Sequence, residues 1–204
     1  MHIPSARQAA ADFYTRLSSA VLPRYPPTAG GQAVHLQQVF NQDWITELPL
    51  PTQDKDPDQT VALADGFDFD RAVDPAAITN GYRAWKRTRV YESIHARSDG
   101  WFSLATLHLA RLLRHRIACT LYESQAGDRN LGAHEDEWDG VIVQMRGSKS
   151  WRLWPQPHGQ PYDLRTRVGD VLLLPRGVTH QVETPDYSVH MVLAVTDEPL
   201  AAAA

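Results

Sequence analysis

The second half of this chain is a succession of short β-rich segments, and this pattern limits the possible folds more than any other feature. From Arg116 onward, runs of apolar, β-branched and aromatic residues alternate with turn sequences that contain Gly, Pro, Asn or Asp, among them residues 146–149 (RGSK). Many short strands spaced about ten residues apart are typical of a sandwich or barrel. The pattern therefore predicts an all-β body.

The first half follows a different pattern, in which three segments have helical character. Residues 9–22 place apolar side chains at i, i+4 and i+8, and several prolines follow them. An Asp–Pro pair opens residues 74–85 as an N-cap and first turn would. Residues 101–113 carry leucines mostly on one side. The overall class is therefore predicted as α+β.

These patterns divide the chain into three predicted regions. Residues 1–114 form a helical and loop segment packed on the barrel, residues 115–197 form the barrel, and residues 198–204 form a tail. Two stretches rich in proline and polar residues, 50–59 and 155–161, are predicted to be exposed loops, at least one of which borders the barrel mouth.

Composition excludes several classes of protein. The chain has 20 Lys and Arg against 24 Asp and Glu, a net charge of −4, which favours neither nucleic acid nor an anionic membrane as a partner. Its single cysteine, Cys119, excludes an internal disulfide and a cysteine-built zinc site. With no apolar run of membrane length and no signal-peptide pattern, the expected location is the cytoplasm. The sequence permits a homodimer.

Three residues of the β-rich half have the character of a metal site. His134 and Asp136 are two apart, so both side chains leave the same face of an extended strand. His180 follows a strand and a Pro–Gly turn that would return it to the sheet. Two imidazoles and a carboxylate on one face of a metal leave the opposite face open, as non-haem Fe(II) oxygenases require. Alone, each residue is better explained as an ordinary polar side chain.

The same region resembles the JmjC-type Fe(II)/2-oxoglutarate oxygenases of the cupin superfamily, and within them the ribosomal-oxygenase and asparaginyl-hydroxylase branch. The resemblance covers roughly residues 115–196. It includes a G-D-x-L-x-x-P-x-G-x-x-H block that ends at His180, and these spaced positions: His134, Asp136, Gln144, Gly147, Lys149, Trp151, Ser188 and His190.

The resemblance implies a fold and an activity. The fold would be a double-stranded β-helix, or jelly roll, with an N-terminal helical and loop extension. His134, Asp136 and His180 would hold Fe(II), and the enzyme would use 2-oxoglutarate and O2 to hydroxylate its substrate while releasing succinate. Lys149 would pair with the far carboxylate of 2-oxoglutarate, because a buried carboxylate needs a cationic partner.

Four further residues are implied in the cosubstrate pocket. Tyr122 lies where this branch has a tyrosine, and Thr120 stands where the family usually has an asparagine, which changes the expected hydrogen bonding. Ser188 and His190 share one face of the last strand, which would be the barrel interior. A packed strand tyrosine and a core histidine are the competing interpretations of Tyr122 and His190.

Three functions remain open from the sequence. The first is hydroxylation of a side chain in a peptide or protein. The second is the same chemistry on a free amino acid or a natural-product intermediate. The third is a metal-binding cupin without oxygenase activity, which Lys149 disfavours because that function gives it no dicarboxylate to bind.

Overall fold

The fold is seen in a computed structural model that describes residues 5–25, 34–50, 59–96, 100–156 and 159–200. Most of the loop predicted at 50–59, the centre of the loop at 155–161 and the last four residues of the predicted tail lie outside these ranges. No helix within the described ranges is both long enough and apolar enough to cross a membrane.

The described residues form four α-helices and ten β-strands. The helices are α1 (Ala6–Val21), α2 (Gln42–Glu47), α3 (Pro75–Ala84) and α4 (Trp101–Leu113). The strands of the N-terminal part are β1 (His35–Gln38), β2 (Val61–Asp65), β3 (Asp68–Ala72) and β4 (Thr88–Tyr91). The strands of the C-terminal part are β5 (His115–Ser124), β6 (Asp139–Trp154), β7 (Tyr162–Arg167), β8 (Asp170–Leu174), β9 (Thr179–Glu183) and β10 (Ser188–Pro199).

All three predicted helices are present, and their ends have physical causes. The Ser5 side chain caps α1 by accepting from the backbone N–H of Gln8. Asp74 caps α3 with Pro75 in its first turn, as the sequence indicated. α4 ends at Arg114, whose left-handed backbone (φ 61°) reverses the chain into β5.

The strands form a large antiparallel sheet in the order β1-β8-β6-β10-β5-β4-β2-β3, and a smaller sheet in which β7 and β9 flank the far half of β6. Strands β1–β4 extend the large sheet at both ends, and no sequence pattern predicted them. Residues 1–114 therefore contribute strands as well as helices.

Two groups of buried residues hold the layers together. The larger packs α1 and α4 against the large sheet, with the Phe13 ring stacked on Phe40 at 4.8 Å and tilted against Trp101 at 4.9 Å. The smaller lies between the two sheets and includes Trp151 and Leu172. The candidate site described below opens beside this second group.

One strand, β6, belongs to both sheets because it bends at Gly147. The sequence around this residue predicted a turn, but the strand continues through it with a positive φ of 58°. A Cβ at this position would lie 1.7 Å from the carbonyl oxygen of Tyr187. Only glycine permits this approach of two backbones.

Replacing Gly147 with Ala is therefore expected to lower the free energy of unfolding by about 3 kcal/mol, from the left-handed backbone and the collision together. Gly127 is a matched control, since its φ is also positive (75°) but nothing lies within 4 Å of its Cβ position. Its change to Ala should cost only about 1 kcal/mol. Urea unfolding of both variants measures the difference, and equal losses would show that the contact with Tyr187 relaxes freely.

Candidate metal and cosubstrate site

The backbone brings the three candidate metal ligands together. His134 and His180 form an antiparallel bridge in which each backbone N–H donates to the other's carbonyl, at 3.0 and 2.8 Å. The carbonyl of Asp136 accepts from the N–H of Gly177, at 2.9 Å, in the turn that leads to β9. The H-x-D segment is thus fastened to the start of β9, and the structure places His180 beside it.

The side chains of the three residues converge. Their potential ligand atoms all lie within 4.8 Å of one another. The Nε2 atoms of His134 and His180 are 3.8 and 3.6 Å from the carboxylate oxygens of Asp136. Each Nδ1 lies near a backbone carbonyl, that of Gly132 at 2.8 Å and that of Val178 at 3.0 Å. Donation from Nδ1–H to these carbonyls leaves both Nε2 lone pairs directed toward the carboxylate.

The electrostatics of this group suit a cation. Burial lowers the pKa of His180 to about 4, so its imidazole is neutral at physiological pH. Burial also raises the pKa of Asp136, although His134 partly opposes this. Among the described residues, His134 and His180 are the only basic side chains within 4.0 Å of the Asp136 carboxylate. Two imidazoles and a desolvated carboxylate therefore meet, and no Lys or Arg of the described residues lies within 4.0 Å to balance the carboxylate.

The cluster faces a cavity of about 310 Å³ that also reaches Lys149. The walls are mostly apolar and aromatic, and include Tyr122, Ile142, Trp151 and Val192. One cavity thus contains the three ligand side chains and a buried ammonium group, and it reaches the surface at the exposed Phe67 ring of the β2–β3 turn.

Lys149 is fully buried, at 0 % exposure, and the structure gives it partners that the sequence did not predict. Its Nζ donates to Ser124 Oγ, Asn130 Oδ1 and Thr184 Oγ1 at 2.9, 3.1 and 2.5 Å. All three acceptors are neutral. They satisfy the hydrogen bonds of the ammonium but leave its charge without a directly bonded anion, so a ligand carboxylate would supply what the protein does not.

The pKa of Lys149 yields a prediction on stability. Burial lowers it from 10.5 to about 7, and the Asp128 carboxylate opposes the shift only in part. Between pH 7 and about 10 the unfolded chain therefore holds a proton that the folded protein lacks, so stability rises with pH, by at most about 1.4 kcal/mol per unit. Below pH 7 both states are protonated and the contribution is constant.

We expect the free energy of unfolding of the ligand-free protein to rise more steeply from pH 7 to 9.5 than that of Lys149→Met, which removes the titrating group at similar volume. Urea unfolding at several pH values measures both slopes. Parallel curves would show that Lys149 keeps an ordinary pKa in the folded protein.

Tyr122 and His190, both predicted near the cosubstrate, line the cavity as a stacked pair. Their rings lie 4.9 Å apart and 3° from parallel. Trp151 packs edge-on against His190 at 5.8 Å and lies 6.1 Å from the ring of His180. Burial and the charge of Lys149 lower the pKa of His190 well below its usual value, and its buried Nδ1 has no hydrogen-bond partner among the described residues.

The two other residues predicted in the cosubstrate pocket, Ser188 and Thr120, do not line the cavity. Ser188 accepts from Nε2 of the buried Gln144 at 2.8 Å, and Gln144 Oε1 accepts from Thr166, which in turn accepts from the Trp151 indole N–H. Neither Ser188 nor Thr120 is among the described residues that line the cavity. Ser188 thus belongs to a network that fixes the Trp151 ring, and a direct cosubstrate contact of Ser188 or Thr120 stays a prediction.

Sequence reasoning missed the residues that hold Lys149. Ser124 could have been found, because it shares strand parity with Tyr122 on β5. Asn130 and Thr184 lie outside the strands, where no periodicity identifies them. The same is true of Phe67 in the β2–β3 turn, which the structure places at the cavity mouth.

Comparison with known proteins agrees with this geometry. A family model described as JmjC domain matches residues 89–202, more than half of the chain. The chain is 33% identical over 96 residues to ribosomal oxygenase 2 of Mus musculus, an overlap of 38% of this chain and 21% of that protein. It is 25% identical over 162 residues to the bifunctional lysine-specific demethylase and histidyl-hydroxylase NO66 of Dictyostelium discoideum, covering 67% of this chain and 32% of that protein.

Among solved structures, the chain is similar to the Escherichia coli ribosomal oxygenase YcfD in complex with cobalt and 2-oxoglutarate. The TM-score is 0.59 at 16% identity, over 85% of this chain and 51% of that one. At this identity the likeness concerns the fold, and it confirms the predicted α+β double-stranded β-helix. The chain spans 21% of the length of ribosomal oxygenase 2 and 32% of the length of the NO66 protein.

Proposed function

The chain belongs to the JmjC domain family, and from this membership we propose that it is an Fe(II)- and 2-oxoglutarate-dependent hydroxylase acting on a side chain in a protein. One observation carries the proposal. The cavity that contains the His134, Asp136 and His180 cluster also contains the buried ammonium of Lys149. A metal-binding cupin without oxygenase activity requires the metal-ligand cluster but does not require a buried ammonium group beside it.

The donor set fits Fe(II). Two imidazole nitrogens and one carboxylate on one side of a metal, with the other side open, are the ligands of non-haem iron oxygenases. The hydrogen bonds from each Nδ1 to a backbone carbonyl hold both imidazoles in the form that can bind a metal through Nε2. His134, Asp136 and His180 would hold the ion. Bound Fe(II) and 2-oxoglutarate together supply O2-driven oxidation of a C–H bond, with release of succinate and CO2.

The remaining residues of the cavity orient and shield the reactants. Lys149 would bind the carboxylate of 2-oxoglutarate that lies away from the metal, since no acidic side chain in the described ranges bonds directly to its ammonium. The Tyr122–His190 pair and Trp151, which packs edge-on against His190, form adjoining flat walls of the cavity. Because these walls are buried and mostly apolar, they exclude water from the space between the metal ligands and Lys149.

A protein substrate is supported by the relatives and by the cavity. The similar proteins are named ribosomal oxygenases, a histidyl-hydroxylase and a lysine-specific demethylase, all activities on proteins. The cavity reaches the protein surface at the exposed ring of Phe67 in the β2–β3 turn. A side chain on a polypeptide could therefore enter while its backbone stays outside.

The proposal is tested with the protein, Fe(II), ascorbate and 2-oxoglutarate, with succinate as the measured product. Succinate should form, and its rate should rise more with a peptide digest of cellular protein than with a mixture of free amino acids. Omission of Fe(II) is the control. A rise with free amino acids alone would assign the same chemistry to a small substrate, and no succinate under any condition would refute the proposal.

A further inference from the structure

An aromatic side chain stands in solvent at the mouth of the cavity. Phe67, in the tight turn between β2 and β3, is 73 % exposed, more than any other large apolar side chain in the described part of the chain. It nevertheless lines the cavity that contains the metal-ligand cluster. Its ring atoms lie 3.8–3.9 Å from the point that a Cβ on Gly132 would occupy, two residues before His134.

The turn that carries this ring is fixed in place. The N–H of Gly66 donates to the carbonyl of Asn130 at 3.1 Å, and Arg129 Nη1 bonds to Asp65 Oδ2 at 2.7 Å. These bonds join the turn to the loop that leads to the metal ligands. The side chain of Asn130 also accepts from Lys149. The position of the exposed ring is therefore set by the same loop that forms the site.

Further aromatic side chains lie on both sides of Phe67. Inward, the half-buried Leu131 and Trp138 line the cavity entrance. Outward, the Arg129 guanidinium that binds Asp65 lies 5.0 Å over the ring of Trp85, which is 58 % exposed. An aromatic rim thus runs from the cavity mouth through Arg129 to a second exposed ring. We call these residues, Phe67, Arg129 and Trp85, the rim.

The fold gives no reason for this rim. Asn, Asp or Gly would suit the tight turn at residue 67 better than an exposed phenylalanine. A large aromatic ring left in water forgoes the stabilisation of burial, and clustered exposed apolar groups beside a cavity mark binding surfaces. Trp85 is not among the residues that line the cavity, so a ligand confined to the cavity would not reach it. The extent of the rim matches a chain that enters the cavity and continues outside it.

We propose that Phe67 is a specificity-determining residue that packs against an apolar side chain of the substrate polypeptide next to the residue to be oxidised, and that Arg129 and Trp85 bind the same polypeptide farther out. This inference rests on the proposed function, and it assigns residues to substrate selection. It concerns neither the metal nor 2-oxoglutarate, whose binding residues lie deeper in the cavity.

The test measures peptide binding without turnover. Protein loaded with Mn(II) and 2-oxoglutarate is immobilised and exposed to nonapeptide sub-libraries, each with a different fixed central residue and random flanks. Retained peptides are sequenced by mass spectrometry. We expect the wild type to select an apolar residue at a fixed distance from one preferred central residue. Phe67→Ala should lose this selection and bind the selected peptide at least about tenfold more weakly, while Phe67→Leu keeps part of it.

Two controls separate recognition from folding. Tyr162→Ala removes another exposed aromatic ring, 41 % exposed on β7, and should change neither selection nor affinity. Trp85→Ala should weaken the nonapeptide and leave a tripeptide with the same central residues unaffected. The melting temperatures of the Phe67 and Trp85 variants should stay close to that of the wild type, because these two side chains are mostly exposed.

The outcomes distinguish this inference from the proposed function. If the wild type selects no apolar residue, or Phe67→Ala selects as the wild type does, the role of Phe67 is refuted. Calorimetric titration with 2-oxoglutarate on the same preparations tests the function separately. If the wild type binds 2-oxoglutarate and Phe67→Ala selects the same peptides as the wild type, only the inference about Phe67 is refuted. If the wild type binds no 2-oxoglutarate, the proposed function is refuted.

Discussion

Replacement of Asp136 by Ala is expected to abolish succinate formation and leave the fold intact. The change removes the only carboxylate of the cluster and one of its three potential ligands. Loss of an outer partner of a metal ligand already costs about 10–100-fold in metal affinity, so loss of a ligand itself should cost more. Because burial raises the pKa of Asp136, its removal also relieves an unfavourable buried charge, and the metal-free variant should be at least as stable as the wild type.

Succinate assays, Mn(II) titration and thermal unfolding measure the three effects. Asp163→Ala is a suitable control, since this exposed carboxylate pairs with Arg152 on the smaller sheet and lies outside the described cavity. It should retain wild-type turnover. Turnover by Asp136→Ala at the wild-type rate would show that the cluster does not hold the reactive metal.

Replacement of Lys149 by Ala should weaken 2-oxoglutarate binding by about 2–5 kcal/mol, the usual cost of truncating one partner of a buried, hydrogen-bonded charge pair. Mn(II) affinity should change little, because Lys149 is not part of the ligand cluster. Lys149→Arg should retain part of the binding, since it keeps the charge, although its planar guanidinium is held differently by Ser124, Asn130 and Thr184. Equal 2-oxoglutarate affinity in Lys149→Ala and the wild type would remove the cosubstrate role of this residue.

The sequence predicted those parts of the fold that local chemistry determines. The α1, α3 and α4 helices follow from apolar spacing and from caps such as Asp74, which act within a few residues. Strands β1–β4 are held by pairing with distant strands, as β1 is with β8, and their own sequences carry little periodicity. The bend of β6 at Gly147 depends on the approach of Tyr187, forty residues further along the chain, so a local turn was the natural but wrong prediction.

The site also combines features that follow from local sequence with features that depend on distant contacts. His134 and Asp136 are neighbours on one chain segment, and their spacing alone indicated a shared face. The strand and Pro–Gly turn before His180 made it a candidate third ligand, but the backbone bridge that holds it beside His134 was not predicted, because that bridge links distant parts of the chain. Asn130 and Thr184, which bond to Lys149, and Phe67 of the rim lie in loops and turns, whose positions depend on tertiary contacts that a single sequence does not reveal.

The most direct test of the account is a calorimetric titration of 2-oxoglutarate into the wild-type protein with and without Mn(II), which supports binding without turnover. Because the metal ligands and Lys149 line one cavity, 2-oxoglutarate should bind once per chain when Mn(II) is present and at least about tenfold more weakly when it is absent. Equal affinity with and without Mn(II), or no binding in either case, would contradict a shared site for the metal and the cosubstrate.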